Sequence, residues 1–288
     1  VPEGAYNIRA NGKLADRVNS ANIEIVSKED GTGIDIHIKP GTKKESVHIP
    51  VVLSQSGLSD LVYNDFYVGD DTDVVIVAGC GIHNGGDQDS RHDGIHRFWL
   101  GKNAKVKYVE KHYGEGDGKG KRILNPVTEV TMDENSYMEM EMVQIKGVDS
   151  TQRMTKADLA AGAKLIIRER LLTHGDQHAE SGFVVNLNGE DSSANVISRS
   201  VAKNNSTQVF NAEINGNAKC AGHSECDAII MDHAKISAIP KIVANDMDAA
   251  LIHEAAIGKI AGEQLIKLMT LGLTEQEAEA QIVNGFLK

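Results

Sequence analysis

Apolar and polar residues exchange faces at period two along much of this chain, as in Val106-Lys107-Tyr108-Val109-Glu110-Lys111 and Met138-Glu139-Met140-Glu141-Met142-Val143-Gln144-Ile145. Such runs predict strands with one buried face. A seven-residue phrase recurs among them: an apolar residue, turn formers, then a small residue two places before the next apolar one. Its copies are Val68 to Val74, Leu100 to Val106, Met132 to Met138, Leu159 to Leu165, Ile214 to Cys220 and Ile230 to Ile236. The first four recur about 27 to 32 residues apart, so each is expected to mark one coil of a stacked sheet. One coil has no core of its own, and stacking supplies it. The expected fold is therefore mainly β: a right-handed parallel β-helix, a single-stranded β-solenoid. A sandwich of antiparallel hairpins also shows short strands and Gly/Asp turns, but it has no need of a fixed phrase.

Three segments follow from the pattern. Residues 1–61 read as a small N-terminal β cap, in which Asn22 to Val26 and Ile34 to Ile38 flank the turn Asp30-Gly31-Thr32-Gly33 as a hairpin. Residues 62–244 carry the parallel β-helix core. Within them, the polar, glycine-rich stretch from His112 to Arg122 buries too little to pack and is expected to be a mobile loop. Residues 245–288 form a C-terminal helical segment: Leu265, Leu268 and Met269, then Ala278, Ile282, Val283 and Phe286, recur at three and four residues. Gly272 ends the first helix, and Thr274 with Glu277 forms a capping box that starts the second. The pair could cap the solenoid or dock a partner.

Composition narrows the function. With 288 residues, 41% hydrophobic and only 4% aromatic, the chain suits an elongated core of Val, Ile, Leu and Met. The formal charge of -11 disfavours nonspecific binding to nucleic acid or to a membrane surface. No apolar run reaches the length of a bilayer span, and the first residues lack a basic start and a signal-like apolar stretch, so a cytoplasmic location is expected. Three scattered cysteines, Cys80, Cys220 and Cys226, do not make a disulfide framework.

Several clusters bear on chemistry. In the loop Gly114 to Arg122, Arg122 follows Gly120-Lys121 where a phosphate-binding P-loop needs Ser or Thr, so no nucleotide is expected on this chain. His92 and His96 have a spacing that brings imidazoles together on a helix, but Gly94 suggests a turn, and backbone hydrogen bonding accounts for them. Cys220 to Asp227 gathers two thiols, an imidazole and two carboxylates, all iron- or zinc-binding types. Cys220 also suits a core position. His253 and Glu254 are adjacent, hence on opposite faces of a regular strand; one metal shared by both needs an irregular backbone or a second chain, so spacing alone favours a surface ion pair.

Gly222-His223-Ser224-Glu225-Cys226-Asp227, Ser237-Ala238-Ile239-Pro240, Ile252-His253-Glu254-Ala255-Ala256-Ile257-Gly258-Lys259-Ile260 and Val283-Asn284-Gly285-Phe286 together resemble the SufB/SufD family. The likeness extends upstream through His92 to Arg97, Arg168-Glu169-Arg170 and Thr173 to Asp176, covering the chain from about Val62 onward. It implies a parallel β-helix and a scaffold role in the Suf machinery, where an iron–sulfur cluster forms transiently. It further implies pairing through the β-helix, here as a homodimer, and a SufC-like ABC ATPase held by the C-terminal helices, with hydrolysis in that partner and no enzyme activity in this chain. Glu254 matches a glutamate implicated in the SufB type and His253 a histidine of the SufD type. The SufB cysteine, six residues before the proline, is replaced by Ala234, so the thiolate would come from Cys226 or Cys220, with His233 a further candidate ligand. The alternative is a structural or regulatory partner of the ATPase that holds no cluster itself.

Overall fold

The computed structural model describes residues 4–288. Its strands stack into two largely parallel sheets, each coil giving one strand to either sheet, except that Arg122–Leu124 and Val127–Met132 share one place in the second, in a solenoid of about eight turns. The first sheet runs through Lys43–Leu53, Asp73–His83, Lys105–Glu115, Tyr137–Lys146, Lys164–Thr173, Ser192–Ala202, Cys220–Ile230 and Ala249–Gly258. The second includes Ser59–Val68, Ser90–Leu100, Ser150–Leu159, His178–Leu187, Thr207–Gly216 and Lys235–Ala244. The parallel ladder thus reaches beyond residues 62–244 at both ends. At the N-terminal end the hairpin of Ile23–Ser27 with Gly33–Ile38 is antiparallel, as expected, and its second strand opens the second sheet's parallel ladder against Ser59–Val68.

The recurring phrase is the corner of the coil. Asp71, Asn103, Asn135 and Gly162 all have φ between 54° and 68°, the left-handed region that reverses the chain and that Asn, Asp and Gly enter most easily. The small residue that follows, Thr72, Ala104, Ser136 or Ala163, is buried under the corner, and in three of them its N–H closes the turn, as Ala104 does to the Gly101 carbonyl at 3.2 Å. Five copies mark the corner leading from the second sheet into the first. The sixth, Ile230 to Ile236, forms the opposite corner, half a coil later, with Asp232 at φ 56° and Ala234 as the buried small residue.

The glycine-rich stretch is not the expected mobile loop. His112 to Glu115 complete a strand with His112 buried, Arg122–Leu124 form another, and the turn between them stacks on the turn of the preceding coil. Gly120 N–H donates to the Gly86 carbonyl at 2.9 Å, and Ser90 N–H to that of Lys121 at 2.9 Å. A Cβ at Gly120 would stand 2.0 Å from the Gln88 carbonyl oxygen. Glycine here permits close backbone stacking, and backbone hydrogen bonds replace the missing apolar burial.

Register turns the alternation into columns through the interior. One column is apolar over most of its length, Val47, Ile76, Tyr108, Met140, Ile167 and Val196, and ends on Ser224 and His253. The neighbouring column mixes buried polar and apolar residues: Glu110, Met142, Glu169, Ser198 and Cys226. Arg153, from the second sheet, neutralises it with an Nη1 to Glu110 Oε2 distance of 2.6 Å, both side chains being almost wholly buried. Ser181 and Ser198 hydroxyls donate to Glu169. Buried carboxylates are affordable here only because each has such donors.

Two helices follow the last strand, α1 (Gly262–Thr270) and α2 (Glu275–Phe286). Gly272, at φ 95°, separates them, and the reciprocal Thr274–Glu277 capping box opens α2. Helix α2 buries Ala278 and Val283, whereas α1 buries no residue and leaves Ile266, Met269 and the following Leu271 exposed.

Candidate metal site

The last two strands of the first sheet, Cys220–Ile230 and Ala249–Gly258, pair in parallel with Ser224 opposite His253, Glu225 opposite Glu254 and Cys226 opposite Ala255. Strand pleating sends Cys220, Ser224, Cys226 and His253 inward and His223, Glu225, Asp227 and Glu254 outward. His253 and Glu254 therefore lie on opposite faces, and the five residues expected from sequence do not converge on one point.

On the outer face His223, Glu225 and Glu254 offer ligand atoms that all lie within 4.8 Å of one another. His223 Nε2 is 3.0 Å from Glu254 Oε2, and its Nδ1 is 2.8 Å from Asn195 Oδ1 on the preceding strand. With Nδ1–H donated to Asn195, a neutral ring presents its Nε2 lone pair to the Glu254 carboxylate. A second proton or a cation between them satisfies both groups. An amide oxygen that fixes the ring's tautomer is the usual support of a metal-binding histidine. The Glu225 carboxyl is pushed up, first by its hydrogen bond to Asp227, then by partial burial and by the charges of Asp227 and Glu254. A crowd of carboxylates that resists full ionisation gains from a divalent cation.

The inward residues meet different surroundings. The Ser224 hydroxyl and His253 Nδ1 form a short hydrogen bond, and His253 Nε2 is buried without a partner. Burial lowers the His253 imidazole. Cys226 is 1% exposed, its thiol pushed up to about 12 by burial and by the charges of Glu169 and Asp227. Cys220 packs into the apolar core and its thiol is also raised by burial. His233 is exposed at the corner between Cys220–Ile230 and Lys235–Ala244, beside the buried Ala234, with its N–H on the Asn204 carbonyl. His92 and His96 sit on a strand rather than a turn, both facing the interior: His92 Nδ1 lies 3.0 Å from Asp60, and His96 Nδ1 2.9 Å from the Tyr108 hydroxyl. Sequence reasoning counted the imidazole of His223 and the carboxylate of Glu225 in the Cys220 to Asp227 cluster but carried only its thiols into the candidate ligand set. The available signal was the coil length: Glu225 and Glu254 stand one coil apart, and residues two apart on a strand share a face.

A parallel solenoid with an imidazole and two carboxylates converging on its outer face is a candidate metal-binding platform. The chain belongs to the SufBD family: residues 62–286 match the model of the SUF system FeS cluster assembly, SufBD core domain. Relatives include an iron-sulfur cluster assembly SufBD family protein of Methanocaldococcus jannaschii, 29% identical over 99% of this chain and 90% of the relative. One from Archaeoglobus fulgidus is 30% identical over 90% of this chain and 69% of its own length. A Pyrococcus horikoshii relative is 26% identical over 90% and 78%. Membership implies a role in iron–sulfur cluster assembly. Among the described residues no helix is long and apolar enough to cross a membrane.

Proposed function

We propose that this chain is a scaffold that takes up iron at His223, Glu225 and Glu254 and on which a transient iron–sulfur cluster is built. The observation that carries the reading is the convergence of those three side chains within 4.8 Å. One nitrogen and two oxygens suit ferrous iron and bind it weakly enough for release. Here iron and sulfide are the cargo. The exposed edges of Lys235–Ala244 and Ala249–Gly258, with Ile239, Ile242 and Ile252 in solvent, are the surface we assign to pairing with a second copy, which would bring a second Glu254 near the first. We assign α1, with its exposed Ile266, Met269 and Leu271, to a SufC-like ATPase that performs the hydrolysis. A cytoplasmic location accords with this role.

Anaerobic titration with ferrous iron, then sulfide, tests the reading. Iron binding and cluster absorbance that vanish in Glu254→Ala and His223→Ala, with the fold intact, support it; a folded protein that binds no iron sinks it. The second reading, a structural partner of the ATPase that holds no cluster, draws on one observation: all three cysteines are buried, leaving no thiolate on the face that carries Glu254.

A further inference from the structure

Arg168 and Arg170 project outward from Lys164–Thr173, and Arg199 from Ser192–Ala202, on the same face as His223 and Glu254. Arg170 and Arg199 are register partners, and Arg168 stands two residues from Arg170 on the same side. Like charges directly opposite each other on a sheet destabilise it. Among the described residues these three arginines make no hydrogen bond or ion pair, whereas the others are engaged, Arg97 with Asp65, Arg122 with Asp149 and Arg153 with Glu110 among them. This occurs in a chain with 41 acidic and 30 basic residues, where counter-charges abound.

The carboxylates that register brings opposite them do not neutralise the arginines. Glu141, opposite Arg168, lies 3.9 Å from Lys107, and Asp227, opposite Arg199, makes no ion pair with it. Glu169, between the two arginines, turns inward to Ser181 and Ser198. Arg168, Arg170 and Arg199 line a depression of about 130 Å³ with Glu169, Ile197 and Lys288. That space admits one tetrahedral oxyanion and no nucleoside. Guanidinium forks bind such oxygens in pairs, and a dianion answers three adjacent positive charges better than a single carboxylate does.

We propose that Arg168, Arg170 and Arg199 form a binding site for a phosphate-type oxyanion on the outer face of the solenoid. Along the row, Ile197 separates Arg168 from Glu225, while Arg199 stands on the strand beside that of Glu225, so the anion site lies one to two strands, about 5–10 Å, from the candidate iron ligands. The assignment does not depend on iron binding.

Calorimetric titration of the iron-free protein with inorganic phosphate, at low ionic strength in chloride, tests it. One phosphate per chain is expected, weakened at least roughly tenfold in Arg170→Gln and in Arg199→Gln. Arg91→Gln, which alters an exposed arginine paired with Asp93 on the other sheet, should bind as wild type does. Circular dichroism melting confirms that each variant is folded. Absence of phosphate binding, or equal binding by the Arg170 and Arg199 variants, overturns the proposal. So does binding of an oligoglutamate peptide in place of phosphate, which would mark a protein-docking patch instead.

Discussion

His223 and Glu254, 31 residues apart in sequence, meet on adjacent strands with 3.0 Å between Nε2 and Oε2. Their contact exists because Glu225, two residues past His223, is in register with Glu254. If the pair acts as one ligand set, its members are not additive. Glu254→Gln and His223→Gln should each weaken ferrous iron binding by roughly tenfold or more, and the double variant little further, since either change already opens the set. A double-mutant cycle on iron affinity measures this, and full additivity would separate the two residues.

Cys226 faces the core on the opposite side of the sheet from Glu254. Cys226→Ala should therefore leave iron affinity within about threefold of wild type and cost about 1 kcal/mol of stability for the small volume lost. The native thiol, raised to about 12, should also react with iodoacetamide far more slowly than in the denatured chain. Loss of iron in Cys226→Ala would place the thiolate at the site.

The Arg153–Glu110 pair lies almost wholly out of solvent. Arg153→Met leaves the Glu110 charge without its main partner and is expected to destabilise the protein by about 3–5 kcal/mol. Adding Glu110→Gln should restore much of that loss. Urea denaturation of the three proteins decides the matter, and an equally unstable double variant would point to packing.

Burial pulls the His96 imidazole down to about 4, with Glu110 opposing the shift and His92, His112 and Arg153 adding to it. Unfolded, the ring titrates near 6.5, so between the two values the unfolded chain binds a proton that the native chain refuses. Stability from this group is complete above pH 6.5 and falls as pH drops toward 4, by on the order of 3 kcal/mol. His96→Gln should lose less stability between pH 7 and pH 5 than wild type. Identical losses would assign the effect to another group.

The Thr274–Glu277 capping box holds the start of α2, and α1 before it buries nothing. Thr274→Ala should weaken α2 by about 1 kcal/mol. Proteolysis within residues 260–288 should quicken while the melting temperature of the solenoid stays put. Reduced co-purification of a SufC-like ATPase with this variant would tie the helices to that partner.

The coil was legible in sequence because its corner is a local necessity: a residue at positive φ, Asp71, Asn103 or Gly162, followed by one small enough to sit beneath it. The helices were legible for the same kind of reason, since period, Gly272 and the capping box act within a few residues. The glycine-rich stretch was misread because its stabilisation is the close approach of another turn, Asn84 to Gln88, which no local composition reports. Sequence could also say that His253 and Glu254 face apart, and the structure puts them on the inner and outer surfaces of the sheet. What tertiary structure alone decided was register, which sets Glu225 beside Glu254 and Arg170 beside Arg199. Alternation fixes which side of a strand a residue takes, but the coil lengths between strands, 27 residues in one turn and 32 in another, fix its neighbours. Those lengths depend on how each corner packs on the one below it, a contact between residues distant in the chain.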